Sequence, residues 1–207
     1  MSGNSVWLLG PGINSAESAA PTIDEALEGG RLSAVSLRTL NLAETAMREV
    51  DMTAVFTALS TGRTPHVETL SIPELYSEAF ASAIDSGHLS DLREVALVDR
   101  HQTGEVGIVT RSLMSGRTPS LRTLDLEITA YDSEQGEMND VLGALAEGYR
   151  AGSAGTLEDL NLFFETTGVP LLPGPLREFG NALGSGRGSS LRRLSLSRLV
   201  DMGWDRG

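Results

Sequence analysis

The sequence predicts an α/β fold built from one repeated helix–strand unit, and three observations carry that expectation. A block of the form apolar, two residues, small, Leu or Ile, two residues, Gly recurs six times along the chain. A second block, apolar-x-x-apolar-x-apolar, follows every copy of the first. The gap between the glycine and the second block is five residues in four cases, and seven and nine in the other two. Self-similarity at a period near thirty residues marks an architecture of stacked supersecondary units.

The first block reads Ile23–Ala26–Leu27–Gly30, Val55–Ala58–Leu59–Gly62, Phe80–Ala83–Ile84–Gly87, Val109–Ser112–Leu113–Gly116, Val141–Ala144–Leu145–Gly148 and Phe179–Ala182–Leu183–Gly186. Apolar residues at i, i+3 and i+4 form one narrow helix face. A glycine three residues later takes the left-handed conformation that ends a helix without a Cβ penalty, so six capped helices are expected. The second block reads Leu37–Leu40–Leu42, Val67–Leu70–Ile72, Leu92–Val95–Leu97, Leu121–Leu124–Leu126, Leu157–Leu160–Leu162 and Leu191–Leu194–Leu196. Its second half alternates with period two, as a short strand buried on one face requires. With an N-terminal copy at Val6–Leu9–Pro11, seven strands are expected, starting 31, 30, 25, 29, 36 and 34 residues apart.

Composition narrows the function classes. The 207 residues carry 16 basic and 28 acidic side chains, a net charge of −12, which argues against duplex nucleic acid and anionic membranes as partners. All the basic residues are arginine, so no lysine amine is offered for acylation. The absence of cysteine removes disulfides, thiolate metal sites and cysteine nucleophiles. No run of 18 apolar residues and no secretory leader pattern occurs, which leads us to expect a cytoplasmic protein.

The paired blocks resemble the leucine-rich repeat family, in its long, helix-containing ribonuclease-inhibitor-like class, from Val6 to Leu196. The resemblance implies a horseshoe solenoid of six or seven repeats, with parallel strands on the concave face and helices on the convex face. It implies a single domain over residues 1–207, either closed by the tail Ser197–Gly207 with Trp204 or continued in a longer array. Two features depart from the family. The Asn expected beyond the third strand position occurs only as Asn14, the others being Thr45, Leu75, Arg100, Thr129, Glu165 and Leu199. Repeat lengths are also uneven.

Residues between the apolar strand positions are expected on the concave face: Thr39, Asn41, Thr69, Ser71, Glu94, Ala96, Thr123, Asp125, Asp159, Asn161, Arg193 and Ser195. Ala43, Pro73, Val98, Glu127, Phe163 and Ser197 follow just beyond. The candidate partner-binding set is Glu94, Asp125, Glu127, Asp159, Asn161 and Phe163, a modestly acidic groove with one aromatic anchor. Arg38, Arg93, Arg122 and Arg192 form a row on the rim, read as solvated surface held by local hydrogen bonds rather than a phosphate site.

Other signals receive structural readings. Gly-Arg-Thr-Pro at Gly62–Pro65 and Gly116–Pro119 is a helix stop followed by a blocking proline. Gly184–Gly186–Gly188 closes a helix instead of opening one, so it is no phosphate loop. Pro170–Pro173, with Pro175, marks helix entry. Tyr131–Asn139 and Phe164–Pro175 are expected as expanded loops. His66, His88 and His101 lack ligand-like spacing, and no nucleophile elbow, zinc-protease or Walker sequence occurs. The expectation is a non-catalytic scaffold, monomeric and without cofactor or metal, that binds another protein of basic or mixed charge through the concave face and rim loops. Alternatives are a GTPase activator of the Ran-activator type and the recognition part of a larger sensor or ubiquitin-ligase adaptor.

Overall fold

A computed structural model describes residues 4–7, 37–42, 49–62, 66–73, 77–98, 106–130, 135–166, 173–186 and 190–200. Strands and helices alternate: β1 (Asn4–Trp7), β2 (Leu37–Asn41), α1 (Glu49–Ser60), β3 (Thr69–Pro73), α2 (Ser77–Asp85), β4 (Glu94–Val98), α3 (Val106–Ser112), β5 (Thr123–Ala130), α4 (Gln135–Ala151), β6 (Asp159–Thr166), α5 (Pro173–Gly184) and β7 (Arg193–Val200). The strands form one parallel sheet in chain order, β1 to β7. Each helix from α1 to α4 packs on the next. The expected helix at Ile23–Gly30 lies outside the described residues, as do Ala43, His101 and the segment 201–207.

Strand alternation sorts the sheet into two faces. Leu70, Ile72, Leu97, Leu124, Leu126, Leu160 and Leu162 are fully buried and share one core with Phe80, Ile84, Val109, Leu145 and Phe179 of the helices. Ser71, Ala96, Asp125 and Asn161, the residues between them, are half-buried or exposed. Among the described residues the sheet is covered on one side only, and from β3 to β6 it reads as apolar-in, polar-out, as such a sheet should. Each fully buried Leu contributes about 2 kcal/mol relative to exposure.

The expected glycine caps hold at four described positions: Gly62, Gly87, Gly116 and Gly186 have φ of 70°, 81°, 88° and 81°. Gly148 does not cap. It sits inside α4, which runs on to Ala151, and Gly152 at φ 86° is the left-handed residue instead. A Cβ on Gly148 would lie 2.8 Å from the Met114 Cβ and 2.8 Å from its sulfur, so close approach of neighbouring units occupies this glycine. Gly116 stands within a π-turn, Leu113–Arg117, that prolongs α3.

Three other expectations are corrected. β1 pairs Val6 with Leu40, so Val6 matches the second apolar strand position and not the first, after a register shift between Asn4 and Ser5. The segment Tyr131–Asn139 is not all loop, because α4 starts at Gln135. The connection Phe164–Pro175 is shortened from both ends, by β6 running to Thr166 and α5 starting at Pro173. The start of α3 is held by the next unit. The Val106 N–H donates to Glu137 Oε1 at 2.7 Å, a carboxylate from α4 meeting a helix N-terminus.

Candidate functional site

Register brings the six candidate residues onto three adjacent strands of the uncovered face. Glu94 stands opposite Thr123, which stands opposite Asp159 and then Arg193. The next row is Ala96, Asp125, Asn161 and Ser195, and the third is Val98, Glu127, Phe163 and Ser197. Glu94 and Asp125 are exposed, whereas Glu127, Asp159, Asn161 and Phe163 are half-buried. Alternation along β6 puts Phe163 on this face and Phe164 in the core.

The charges are more ordered than an acidic groove suggests. Arg193 grips Asp159 through two hydrogen bonds, Nε donating to Oδ1 at 2.7 Å and Nη2 to Oδ2 at 2.8 Å. A bidentate guanidinium–carboxylate pair is strong and directional. Hydrogen bonding from Arg193 is the largest cause holding the Asp159 carboxyl below its ordinary range; partial burial opposes it, and the charges of Arg193 and Arg192 add to the lowering. The Arg193 guanidinium is shifted up in turn, chiefly by its hydrogen bond to Asp159. Asp159 therefore stays ionised, with Arg193 balancing its charge. Asn161 Nδ2 donates to Asp125 Oδ1 at 2.9 Å, and the Thr69 hydroxyl donates to Glu94 Oε2 at 3.3 Å. Those bonds orient two carboxylates while leaving their charge in place.

An open cavity of about 660 Å³ lies over β5–β7, lined by Asp125, Asp159, Asn161, Arg192, Arg193 and Ser195 together with Thr123, Leu124, Leu160 and Leu194. It includes Asp125, Asp159 and Asn161 of the candidate set, but not Glu94, Glu127 or Phe163. Arg192 and Arg193 are the charged members that the candidate set lacks. The signal for Arg193 was present in the repeat: it occupies the block position of Asp159 with opposite charge, and parallel pairing places such positions side by side.

The rim row is also structured. Arg38 Nη1 donates to Glu68 Oε1 at 2.7 Å and Arg122 Nη1 to Glu158 Oε1 at 2.6 Å, so two of the four arginines expected as solvated surface pair with acids one strand along. Arg192 reaches the other Glu158 oxygen at 3.5 Å. His66 Nδ1 lies 3.1 Å from Asp91 Oδ2, and a Cβ on Gly62 would meet the His88 ring at 2.8 Å; both histidines thus stack one connection on the next. Among the described residues no three His, Asp or Glu side chains are grouped to hold a metal ion, and no helix is long and apolar enough to cross a membrane. No family model matches the chain, and no curated protein sequence does.

Proposed function

We propose that this chain is a non-catalytic protein-interaction scaffold, a leucine-rich-repeat solenoid whose uncovered sheet face and rims bind a partner protein. The single observation that carries the reading is the division of the sheet. From β3 to β6 one face is committed to the core, while the other presents in-register rows of mostly polar side chains with Phe163 among them. The recurrent helix–glycine–strand blocks and the chain-order sheet support the solenoid. An array of in-register side chains suits multipoint recognition, in which aromatic anchors and charge complementarity set affinity and partner choice.

Glu94 and Asp125 are acidic groups of this face bonded to neutral donors, so the favoured partner surface is basic or mixed. The test compares affinity capture by wild type, by Glu94→Arg with Asp125→Arg, and by the helix-face control Glu147→Arg, once all three show the same circular dichroism. A partner lost only in the sheet-face variant, with binding weakened by added salt, is expected. A partner retained by that variant but lost with Glu147→Arg would move the site to the helices and overturn the proposal.

A further inference from the structure

We propose that the outer edge of β7 accepts an added parallel strand from an acidic–apolar segment of the pattern Glu-x-Leu-x-Leu. This surface is separate from the sheet face proposed above. Among the described residues the sheet order ends at β7, so its eight-residue outer edge has no described neighbour. An unpaired strand edge is a template for another chain.

The junctions inside the sheet show what such a strand needs. In the four from β3 to β7, the carbonyl just before one strand accepts two N–H groups from the next. Glu68 O accepts from Arg93 and Glu94 at 2.7 and 3.0 Å, Arg122 O from Glu158 and Asp159 at 2.8 and 2.9 Å, and Glu158 O from Arg192 and Arg193 at 2.7 and 3.0 Å. The carbonyl in that position on β7 belongs to Arg192. The apolar requirement is visible too. Leu194 and Leu196 are 42% and 46% exposed, although their register partners Leu160 and Leu162 are fully buried by the unit that follows them.

Charge selects the occupant. At this row Arg38 is met by Glu68 and Arg122 by Glu158, each acid coming from the strand one step further on. Arg192 occupies the same row and is 77% exposed, and its 3.5 Å contact is to a carboxylate already engaged by Arg122 at 2.6 Å. Residues 190–200 contain three arginines and no acid. A strand completing this edge therefore brings a Glu opposite Arg192 and two apolar side chains over Leu194 and Leu196. Glu158-Asp159-Leu160-Asn161-Leu162 has that pattern within this chain and docks on β5 through it.

The test titrates full-length protein against a fluorescent synthetic peptide with the sequence of Leu157–Thr166, read by anisotropy, with sedimentation of the protein alone. Saturable binding is expected, absent for a scrambled peptide and for the Leu196→Asp protein. Replacing the peptide's Glu158 by Arg should weaken binding about two- to fivefold, the size of an exposed ion pair. Pairing that peptide with the Arg192→Glu protein should restore it. Absent binding, binding equal to the scrambled peptide, or binding unchanged by Leu196→Asp would overturn the proposal. A wild-type dimer that Leu196→Asp splits would overturn it in favour of a second copy at this edge.

Discussion

Tyr149 shows how one atom departs from an otherwise consistent core. Its ring is fully buried, 6.1 Å from that of Phe179, and its hydroxyl has no hydrogen-bond partner among the described residues. Burial pushes the phenol up to about 12 from 10.0. Below pH 10 the group is neutral whether the chain is folded or unfolded. Between 10 and 12 only the unfolded chain ionises there, so stability falls with rising pH by about 3 kcal/mol across that window. Tyr149→Phe should therefore match or exceed wild type in urea at pH 7, because an unpaired buried hydroxyl is removed. It should also retain stability at pH 11 where wild type loses it. Equal urea midpoints for the two proteins at pH 11 would refute this account.

At the scale of elements, α4 carries a contrast between two glycines. Gly143 has nothing within 4 Å of an added Cβ, so Gly143→Ala should stabilise by about 0.5–1 kcal/mol through helix propensity alone. Gly148→Ala gains the same propensity but drives a methyl group into Met114, and should cost about 1–3 kcal/mol net. Thermal unfolding of the two variants checks both signs; a stabilised Gly148→Ala would mean that the helices are not in close contact there. These glycines also mark how far sequence reading reached. Strand positions and helix faces were legible because period two and the i, i+3, i+4 spacing each appear in every unit. Gly148 was misread because a capping glycine and a close-packing glycine are the same letter, and only the packing of Met114 distinguishes them. The six candidate residues were legible as sharing one face, since alternation alone determines it. The pairing of Asp159 with Arg193 was not, because it depends on side-chain geometry across a strand pair. The Arg–Glu row was missed for the same reason.

For the molecule as a whole, the main contacts between elements join neighbouring units. Stability in such an array is close to a sum of unit and interface terms, and damage at the centre is felt on both sides. Leu124 on β5 is fully buried between β4 and β6. Leu124→Asp should cost several kcal/mol by burying an unpaired charge. Hydrogen exchange should show β4–β6 opening first, together with a lower melting temperature. An unchanged melting temperature would contradict the alignment of units on which the sheet depends.

Unit lengths vary, with strand starts 25 to 36 residues apart, yet the pairing from β3 to β7 never slips by a residue. Length variation is absorbed wholly by helices and connections. One residue inserted within a strand would turn a Leu outward and an Asp inward at once, whereas extra residues in a connection leave the sheet untouched. Selection can therefore rewrite the exposed rows one side chain at a time, and lengthen the loops freely, while the register acts as a fixed ruler. Partner choice and foldability are thus encoded at alternate letters of the same strands, and each can change without the other.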